Sequence, residues 1–195
     1  MLLKKKEGRI ESVRSDDRQV AELRQQSSTL VIHPGGDQST NFLSVYGDLP
    51  AITEDIPREV IRKQIEQSER TIVMGHGVPQ GLIGFGRLWI ENSYVDLFKS
   101  QPNNIYIFCN ADCFLRHHGL RGFATGMFIS ETAEARIFGV RASFKEIEES
   151  NKLFARIISE SLELTPNQLK QKILNQYILP LNDVVLYNRK RMFSF

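Results

Sequence analysis

Three short runs of continuously apolar residues constrain the fold of this chain more than any other feature. They cover residues 29–33, 71–74 and 104–108, and each is followed by polar or glycine residues. Each run is rich in β-branched or aromatic residues and is too short for a buried helix, so each is predicted to be a strand. Hydrophobicity that is continuous rather than alternating is typical of strands covered on both faces. The chain is therefore expected to contain a parallel sheet.

Helix signals lie between and after these strands. Asp55 as an N-cap, with Pro57 close behind it, predicts a helix before the second strand, and residues 89–99 suit a helix before the third. Ser143 and Thr165 each precede a Glu or Gln by three residues, which is the spacing of a capping box. Alternation of strands and helices predicts a three-layer α/β fold, with a mostly parallel central sheet and helices on both of its faces.

The second half of the chain is expected to add two more strands, over residues 123–129 and 183–187. Ser130 is the expected cap of the turn between them that contains Glu131 and Glu134. With these elements, residues 29–195 are predicted to form a single domain.

Length, charge and cysteine content exclude several classes of protein. A chain of 195 residues fits one domain, preceded here by an expected charged N-terminal arm over residues 1–28. The 25 basic and 23 acidic side chains nearly balance, so charge predicts neither nucleic acid nor a membrane surface as a partner. The two cysteines, Cys109 and Cys113, are too close together for a secreted disulfide framework, so a reducing, cytoplasmic location is expected.

Chemically active side chains follow each of the three predicted strands. His33 and Asp37 follow the first strand, His76 the second and Cys109 the third. Ligands of parallel sheets bind beyond the carboxyl ends of the strands. The sequence therefore predicts a cleft at this edge of the sheet that contains histidine and a thiol.

Cys109 and His76 can act together, with Cys109 as a nucleophile and His76 as its general base. A thiol beside a helix N-terminus, with Asn110 as the expected N-cap, is predicted to have a lowered pKa. The glycines on either side of His76 let its backbone turn sharply, so that its ring can take the thiol proton. Cys113, in the first turn of the same helix, remains an alternative nucleophile. A zinc site is not expected, because the histidines lack the usual ligand spacing.

Two segments resemble the catalytic strands of the caspase family. Residues 71–77, an apolar strand that ends in His-Gly, are followed by Gly81 and resemble the caspase histidine segment. Residues 104–109 resemble the next strand of that fold, which ends at the catalytic cysteine. The resemblance covers about residues 29–140. The order of the two strands is that of caspases and of gingipain-type and clostripain-type peptidases.

The resemblance implies a cysteine peptidase that cleaves a peptide or protein substrate without a metal or organic cofactor. By that resemblance His76 is the general base and acid, Cys109 is the nucleophile, and the Gly77 and Cys109 N–H groups form the oxyanion hole. The chain departs from caspases at Gly75, where they have serine, and it lacks their signature around the cysteine. If Cys113 is the nucleophile, the alignment moves by four residues. A charged specificity pocket is implied, for which Asp37 and Arg141 are candidates.

Two other functions remain open. One is a catalytically silent caspase-like module for binding or signalling. A caspase-like chain, active or silent, is also compatible with self-association as a homodimer. The other is a nucleotide-binding domain, because residues 75–81 read G-x-G-x-x-x-G after a strand. That fingerprint requires a helix to begin inside the glycine run. Three glycines over residues 81–86 each cost about 1 kcal/mol in a helix, so a hairpin or flap is predicted there instead.

Overall fold

A parallel sheet is present, and it continues into an antiparallel strand at one edge. The computed structural model of the chain describes residues 29–178 and 182–195, so the expected arm over residues 1–28 lies outside the described residues. The strands are β1 (Thr29–Ile32), β2 (Ala51–Ile52), β3 (Arg70–Met74), β4 (His76–Val78), β5 (Gly81–Gly84), β6 (Arg87–Ile90), β7 (Ile105–Ile107), β8 (Phe123–Thr125) and β9 (Met192–Ser194). The helices are α1 (Arg58–Glu66), α2 (Val95–Lys99), α3 (Ala111–His118), α4 (Thr132–Ile137), α5 (Phe144–Ser159), α6 (Pro166–Gln176) and α7 (Asp183–Arg189). Two 3₁₀ turns cover Gln38–Leu43 and Asn92–Tyr94.

The six-stranded sheet has the order β2-β1-β3-β7-β8-β9. Its first five strands are parallel, and β9 is antiparallel to β8. The three predicted core strands β1, β3 and β7 are therefore neighbours, and Met74 at the end of β3 pairs with Ile107 at the end of β7. Between β3 and β7 the chain forms a small antiparallel sheet of β4, β5 and β6. The carboxyl ends of β1, β3 and β7 consequently lie side by side.

Side chains from the sheet pack on both faces. On one face, Val73 and Tyr106 pack in a buried cluster with residues of α1, α2 and α3. On the other face, Ile72 and Ile105 pack with residues of α5 and α6. Neighbouring residues of a strand point to opposite faces, so continuous apolar runs bury both faces at once. The α/β class and the mostly parallel sheet predicted from the sequence are confirmed.

Local capping predictions agree with the structure in the second half of the chain. Ser143 accepts a hydrogen bond from the Glu146 N–H and begins α5 in a capping box. Thr165 and Gln168 form a second capping box at the start of α6, with Pro166 at its first position. These motifs use only side chains within one helical turn, which is why the sequence predicts them well.

The predicted strand over residues 183–187 is wrong, because this segment is helix α7. The side-chain oxygen of Asn182 accepts a hydrogen bond of 2.9 Å from the Val185 N–H and caps the helix. Val184 and Val185 are buried on its inner face. Burial against the rest of the core overrides the β propensity of the Val-Val-Leu-Tyr run. The last strand is instead β9, which lies farther along the chain.

The predicted helix over residues 89–99 is wrong in its first half. Trp89 and Ile90 belong to strand β6, and Ile90 pairs with Leu82 of the hairpin that the glycines predicted. The helix α2 begins only at Val95. Pairing with β5 satisfies the backbone of this segment, which single-sequence periodicity does not report.

The first helix begins later than its predicted cap. Pro57, not Asp55, stands at the N-cap position of α1. The carboxylate of Asp55 binds Arg87 through two hydrogen bonds of 2.9 and 2.5 Å. Asp55 therefore forms a long-range ion pair with Arg87 instead of capping α1, as the local sequence pattern had predicted.

The predicted strand over residues 123–129 ends early, and the N-cap of the helix that follows it lies one residue later than expected. Strand β8 ends at Thr125, and Ile129 is not paired in the strand because Asn188 binds both its N–H and its C=O. Glu131, not Ser130, occupies the N-cap position of α4.

Candidate functional site

His76 and Cys109 lie at the ends of neighbouring strands and share one cavity. His76 follows β3 after a single glycine, and the Gly75 N–H donates to Ile107 O at the end of β7 (3.0 Å). Cys109 lies two residues beyond Ile107. Both side chains line a cavity of about 20 Å³, which has room for about one water molecule.

The loop after β1 holds the ring of His76. Its Nε2 lies 2.6 Å from Ser39 Oγ and 3.0 Å from Asp37 Oδ2. The Ser39 hydroxyl donates its proton to Asp37 Oδ1 (2.6 Å), so both oxygens facing Nε2 act as acceptors. The chemistry of these partners assigns the proton of neutral His76 to Nε2. Nδ1 has no hydrogen-bond partner among the described residues and is available as a base.

Asp37 is suited to hold a positive charge on His76. The Ser39 hydroxyl lowers the pKa of the Asp37 carboxyl, and the Ser39 N–H and His76 lower it further. Asp37 is also the N-cap of the 3₁₀ turn that carries Ser39. The three side chains do not form a serine hydrolase triad, because such a triad places its serine and its carboxylate on opposite ring nitrogens.

The thiol of Cys109 is half-buried and donates a hydrogen bond to the backbone. Its S–H donates to Phe128 O over 3.6 Å, and Glu134 Oε1 lies 4.0 Å from Sγ. The pKa of Cys109 is raised to about 11, mainly by burial and to a smaller extent by the Glu134 carboxylate, against the effect of the Phe128 contact. The lowered pKa expected from the helix N-terminus is not found, because loss of solvation is the largest influence on this thiol.

Asn110 places the thiol at a sharp turn between β7 and α3. Its backbone is left-handed (φ 64°, ψ 26°), a conformation that asparagine adopts more readily than most residues. Asn110 occupies the N-cap position of α3, as predicted, although its side chain makes no capping hydrogen bond. The turn lets α3 begin at Ala111 and leaves Cys109 at the strand end.

Cys113 lies in a different environment. Its exposed side chain lines a separate cavity with His117 and His118. Partial burial raises its pKa, and so does Asp112. The structure therefore brings Cys109, and not Cys113, into the cavity of His76. Within residues 29–178 and 182–195, no group of three metal-ligating side chains is present.

Gly77 allows strand β4 to pass directly over the residue before the thiol. A Cβ atom at Gly77 would lie 2.2 Å from Phe108 Cδ2, so any side chain there would collide with the ring. This close approach explains the glycine sterically. Its role in an oxyanion hole stays a prediction.

The glycine-rich segment does not have the geometry of a dinucleotide site. After His76, the chain forms the antiparallel pair β4 and β5, in which Gly77 pairs with Leu82. No helix begins inside the glycine run, so no helix N-terminus is available there for a phosphate group.

His33 and Arg141 are not part of the cavity. His33 is buried, its Nε2 lies 3.3 Å from Thr40 Oγ1, and burial lowers its pKa. Arg141 is exposed on the loop before α5. Of the two candidates for a specificity pocket, Asp37 is engaged with His76.

Sequence reasoning missed three residues that contact His76 or Cys109, namely Ser39, Phe128 and Glu134. Each lies on a segment far from its partner in sequence, and Ser39 and Glu134 also fit a purely local capping role. The one signal that could have found Ser39 is the parallel strand order, which places the loop after β1 beside the end of β3.

A comparison of the chain with protein-family models, curated proteins and solved structures finds no match. Among the described residues, no helix combines the length and the apolar character needed to cross a bilayer. Any functional assignment therefore depends on the geometry described above.

Proposed function

We propose that this chain is a caspase-like cysteine peptidase that uses His76 as its base and Cys109 as its nucleophile. The observation that carries the proposal is that both side chains line one cavity at the ends of adjacent parallel strands. The order of histidine strand, intervening hairpin and cysteine strand supports the same function. Asp37 and Ser39 act as positioning residues for His76.

The arrangement supports a two-step reaction. Nδ1 of His76 takes the thiol proton, and the thiolate of Cys109 attacks the peptide carbonyl carbon. The tetrahedral intermediate collapses, the C–N bond breaks, and the imidazolium donates its proton to the leaving amine. His76 then takes a proton from water, whose hydroxide attacks the thioester carbonyl. The C–S bond breaks to release the carboxylic acid, and the imidazolium returns its proton to Sγ, which restores the thiol and the neutral base. Asp37 stabilises the imidazolium in both steps through Nε2.

The site as it stands is too small for a peptide. The cavity has room for about one water molecule, and the thiol donates to Phe128 O. The ring of Phe128 packs on Phe42 and Phe154, with centroids 6.3 and 4.7 Å away. Substrate binding therefore requires Phe128 to move away from Cys109, which also exposes the thiol to solvent and to His76.

The test is covalent labelling with peptidyl acyloxymethyl ketones, followed by mass spectrometry of the labelled residue. We expect labelling of Cys109 that persists in Cys113→Ser and falls at least about 100-fold in His76→Gln. His33→Gln is the matched control, because His33 lies outside the cavity, and its rate should stay near that of the wild type. Labelling of Cys113, or an equal rate in His76→Gln, would contradict the proposal.

A second candidate is a catalytically silent binding module of the same fold. The observation that favours it is the half-buried thiol, which donates to Phe128 O in a cavity with room for about one water molecule. The same experiment separates the two functions. A silent module leaves Cys109 unlabelled by every peptidyl probe, while small alkylating reagents still modify the exposed Cys113.

A further inference from the structure

Residues 136–145 form a cationic segment on the surface, which joins α4 to α5. The segment covers the last two residues of α4, the turn between the helices and the first two residues of α5. Three of its side chains, Arg136, Arg141 and Lys145, are basic, and none is acidic. The near balance of 25 basic and 23 acidic side chains over the whole chain therefore conceals a local excess of positive charge.

The same segment carries three large apolar side chains that are exposed. The exposed fraction is 77% for Ile137, 72% for Phe144 and 45% for Phe138. A side chain that is about three-quarters exposed projects from the surface and lies in no groove of its own protein. Exposed apolar clusters surrounded by polar residues mark sites of interaction with a partner. The segment therefore presents apolar groups and positive charge together.

The turn that carries these side chains is held in place. Gly139 is left-handed (φ 66°) and ends α4, and the Val140 N–H donates to Ala135 O (2.8 Å). The Phe138 ring packs on Tyr187 of α7, with ring centroids 5.9 Å apart. A partner that binds here consequently does not have to order this backbone, which reduces the entropic cost of binding.

The acidic side chains near the segment do not neutralise its two arginines. The carboxylates at the start of α5 have partners in that helix or its cap: Glu146 binds Ser143, Glu148 binds Lys152 and Glu149 faces Lys145. Glu131 and Glu134 lie at the opposite end of α4. Arg136 and Arg141 are exposed and form no salt bridge with a described residue. Their charge is therefore available to an anionic partner.

We propose that residues 136–145 dock the protein on the surface of a membrane that contains anionic lipids. Ile137 and Phe144 enter the boundary between headgroups and acyl chains, while the two arginines bind the anionic headgroups. Lipids rearrange around separate projecting side chains, whereas a protein partner needs a pocket matched to each of them. A second copy of the chain fits poorly, because a symmetric contact would place like charges against each other.

This docking uses neither Cys109 nor His76. It therefore stands apart from the proposed peptidase function and is tested without reference to cleavage.

The test is sedimentation of the full chain with vesicles of phosphatidylcholine, either alone or with about one third phosphatidylserine. We expect the partition coefficient to be at least about tenfold higher for the vesicles that contain phosphatidylserine. This preference should decrease as sodium chloride is raised, because salt screens exposed charges.

Two double variants separate charge from apolar insertion. Arg136→Gln/Arg141→Gln should lower partitioning at least about tenfold, since each basic side chain at an anionic surface contributes about fivefold. The matched control is Lys63→Gln/Arg121→Gln, which removes two exposed positive charges outside the segment and should change partitioning less than about twofold.

Ile137→Ser/Phe144→Ser should also lower partitioning at least about tenfold, because binding scales with the apolar area that enters the bilayer. Both side chains are mostly exposed, so the fold does not depend on them. Val60→Ser is the control, since Val60 is an exposed apolar residue of α1.

A fluorescence measurement locates the contact. In Phe144→Trp, the emission of the new tryptophan should shift to shorter wavelength on vesicles with phosphatidylserine and should be quenched by brominated lipid. Trp89 is buried and supplies a constant background, and Val60→Trp should show neither change.

The inference is overturned by equal partitioning to both kinds of vesicle, by equal effects of the segment variants and their controls, or by an unchanged Phe144→Trp emission. Binding to soluble poly-glutamate without binding to vesicles would assign the segment to an acidic protein partner and also overturns it.

Discussion

Glu134 links the loop that covers the thiol to the thiol itself. Its Oε2 accepts hydrogen bonds from the N–H groups of Ser130 (2.7 Å) and Glu131 (3.1 Å). Its Oε1 lies 4.0 Å from the sulfur of Cys109. The Glu134 carboxylate thus keeps the loop closed. It also contributes, less than burial does, to the raised pKa of Cys109. At the scale of single residues it is the group whose charge acts most directly on the nucleophile.

Glu134→Gln should make Cys109 more reactive. The amide keeps an acceptor oxygen for the loop but removes the negative charge, so the pKa of the thiol falls from about 11. The measurement is the rate of iodoacetamide alkylation of each cysteine between pH 7 and 10. In the wild type, Cys113 should react at least about tenfold faster than Cys109, because Cys113 is exposed.

The Cys109 rate should rise severalfold in Glu134→Gln, while the Cys113 rate serves as the internal control. A Cys109 rate that does not change with the charge would show that burial alone sets the pKa.

Gly77→Ala should destabilise the fold. The added methyl group would meet the Phe108 ring at 2.2 Å, and relief of such overpacking typically costs about 1–3 kcal/mol of unfolding free energy. Urea denaturation measures the loss. Combining Gly77→Ala with Phe108→Leu should cost less than the sum of the two single changes, because the pair is in contact. Strict additivity would show that the collision is not the cause.

At the scale of elements, three helices hold the loop between β8 and α4. Asn188 of α7 binds the N–H (2.8 Å) and the C=O (3.0 Å) of Ile129. Asn151 of α5 binds the C=O of Ser130, and Glu134 of α4 binds its N–H. Side chains therefore replace a strand partner for this backbone. The resting position of Phe128, one residue earlier, follows from these contacts.

Asn188→Ala should loosen this loop. Two buried backbone groups of Ile129 lose their partners, each at a cost of about 1–3 kcal/mol. Hydrogen exchange at the Ile129 amide should accelerate by at least about tenfold, and Cys109 alkylation should accelerate with it. Asn182→Ala is the matched control, because it removes the cap of the same helix at a cost of about 1 kcal/mol without touching the loop. Equal acceleration in both variants would assign the effect to helix stability alone.

At the scale of the whole molecule, the sheet joins two buried clusters. Trp89, the single tryptophan, is buried in the cluster with α1, α2 and α3. Phe154 of α5 is buried in the cluster on the other face. Strands β1, β3 and β7 contribute alternate side chains to both clusters, so neither face can lose its packing independently of the sheet.

Phe154→Ala should lower the free energy of unfolding by about 3–5 kcal/mol. Trp89, on the opposite face of the sheet, should report this loss. The measurement is urea unfolding followed by Trp89 fluorescence and by far-ultraviolet circular dichroism. Both signals should shift together to lower urea concentration, whereas Leu186→Ala, at an exposed position, should change stability by less than about 0.5 kcal/mol. A Trp89 transition that stays in place while the circular dichroism shifts would mean that the two faces unfold separately.

The sequence alone determined the elements whose signals are local. The runs of β1, β3 and β7, the glycine hairpin and the capping boxes of α5 and α6 are each encoded by residues within a few positions of one another. The placement of His76 and Cys109 just beyond two of these strands also followed from local pattern.

Tertiary structure alone decided which partners these side chains have. Helix α7 replaces a predicted strand because Asn182 and burial outweigh β propensity. His76 binds Ser39 across 37 positions of sequence, and Cys109 meets Phe128 across 19. Such contacts depend on strand order and on how loops are held, which are long-range properties. The physical reason is that a residue's propensity and capping are set by its neighbours in the chain, whereas its burial, pKa and hydrogen-bond partners are set by its neighbours in space.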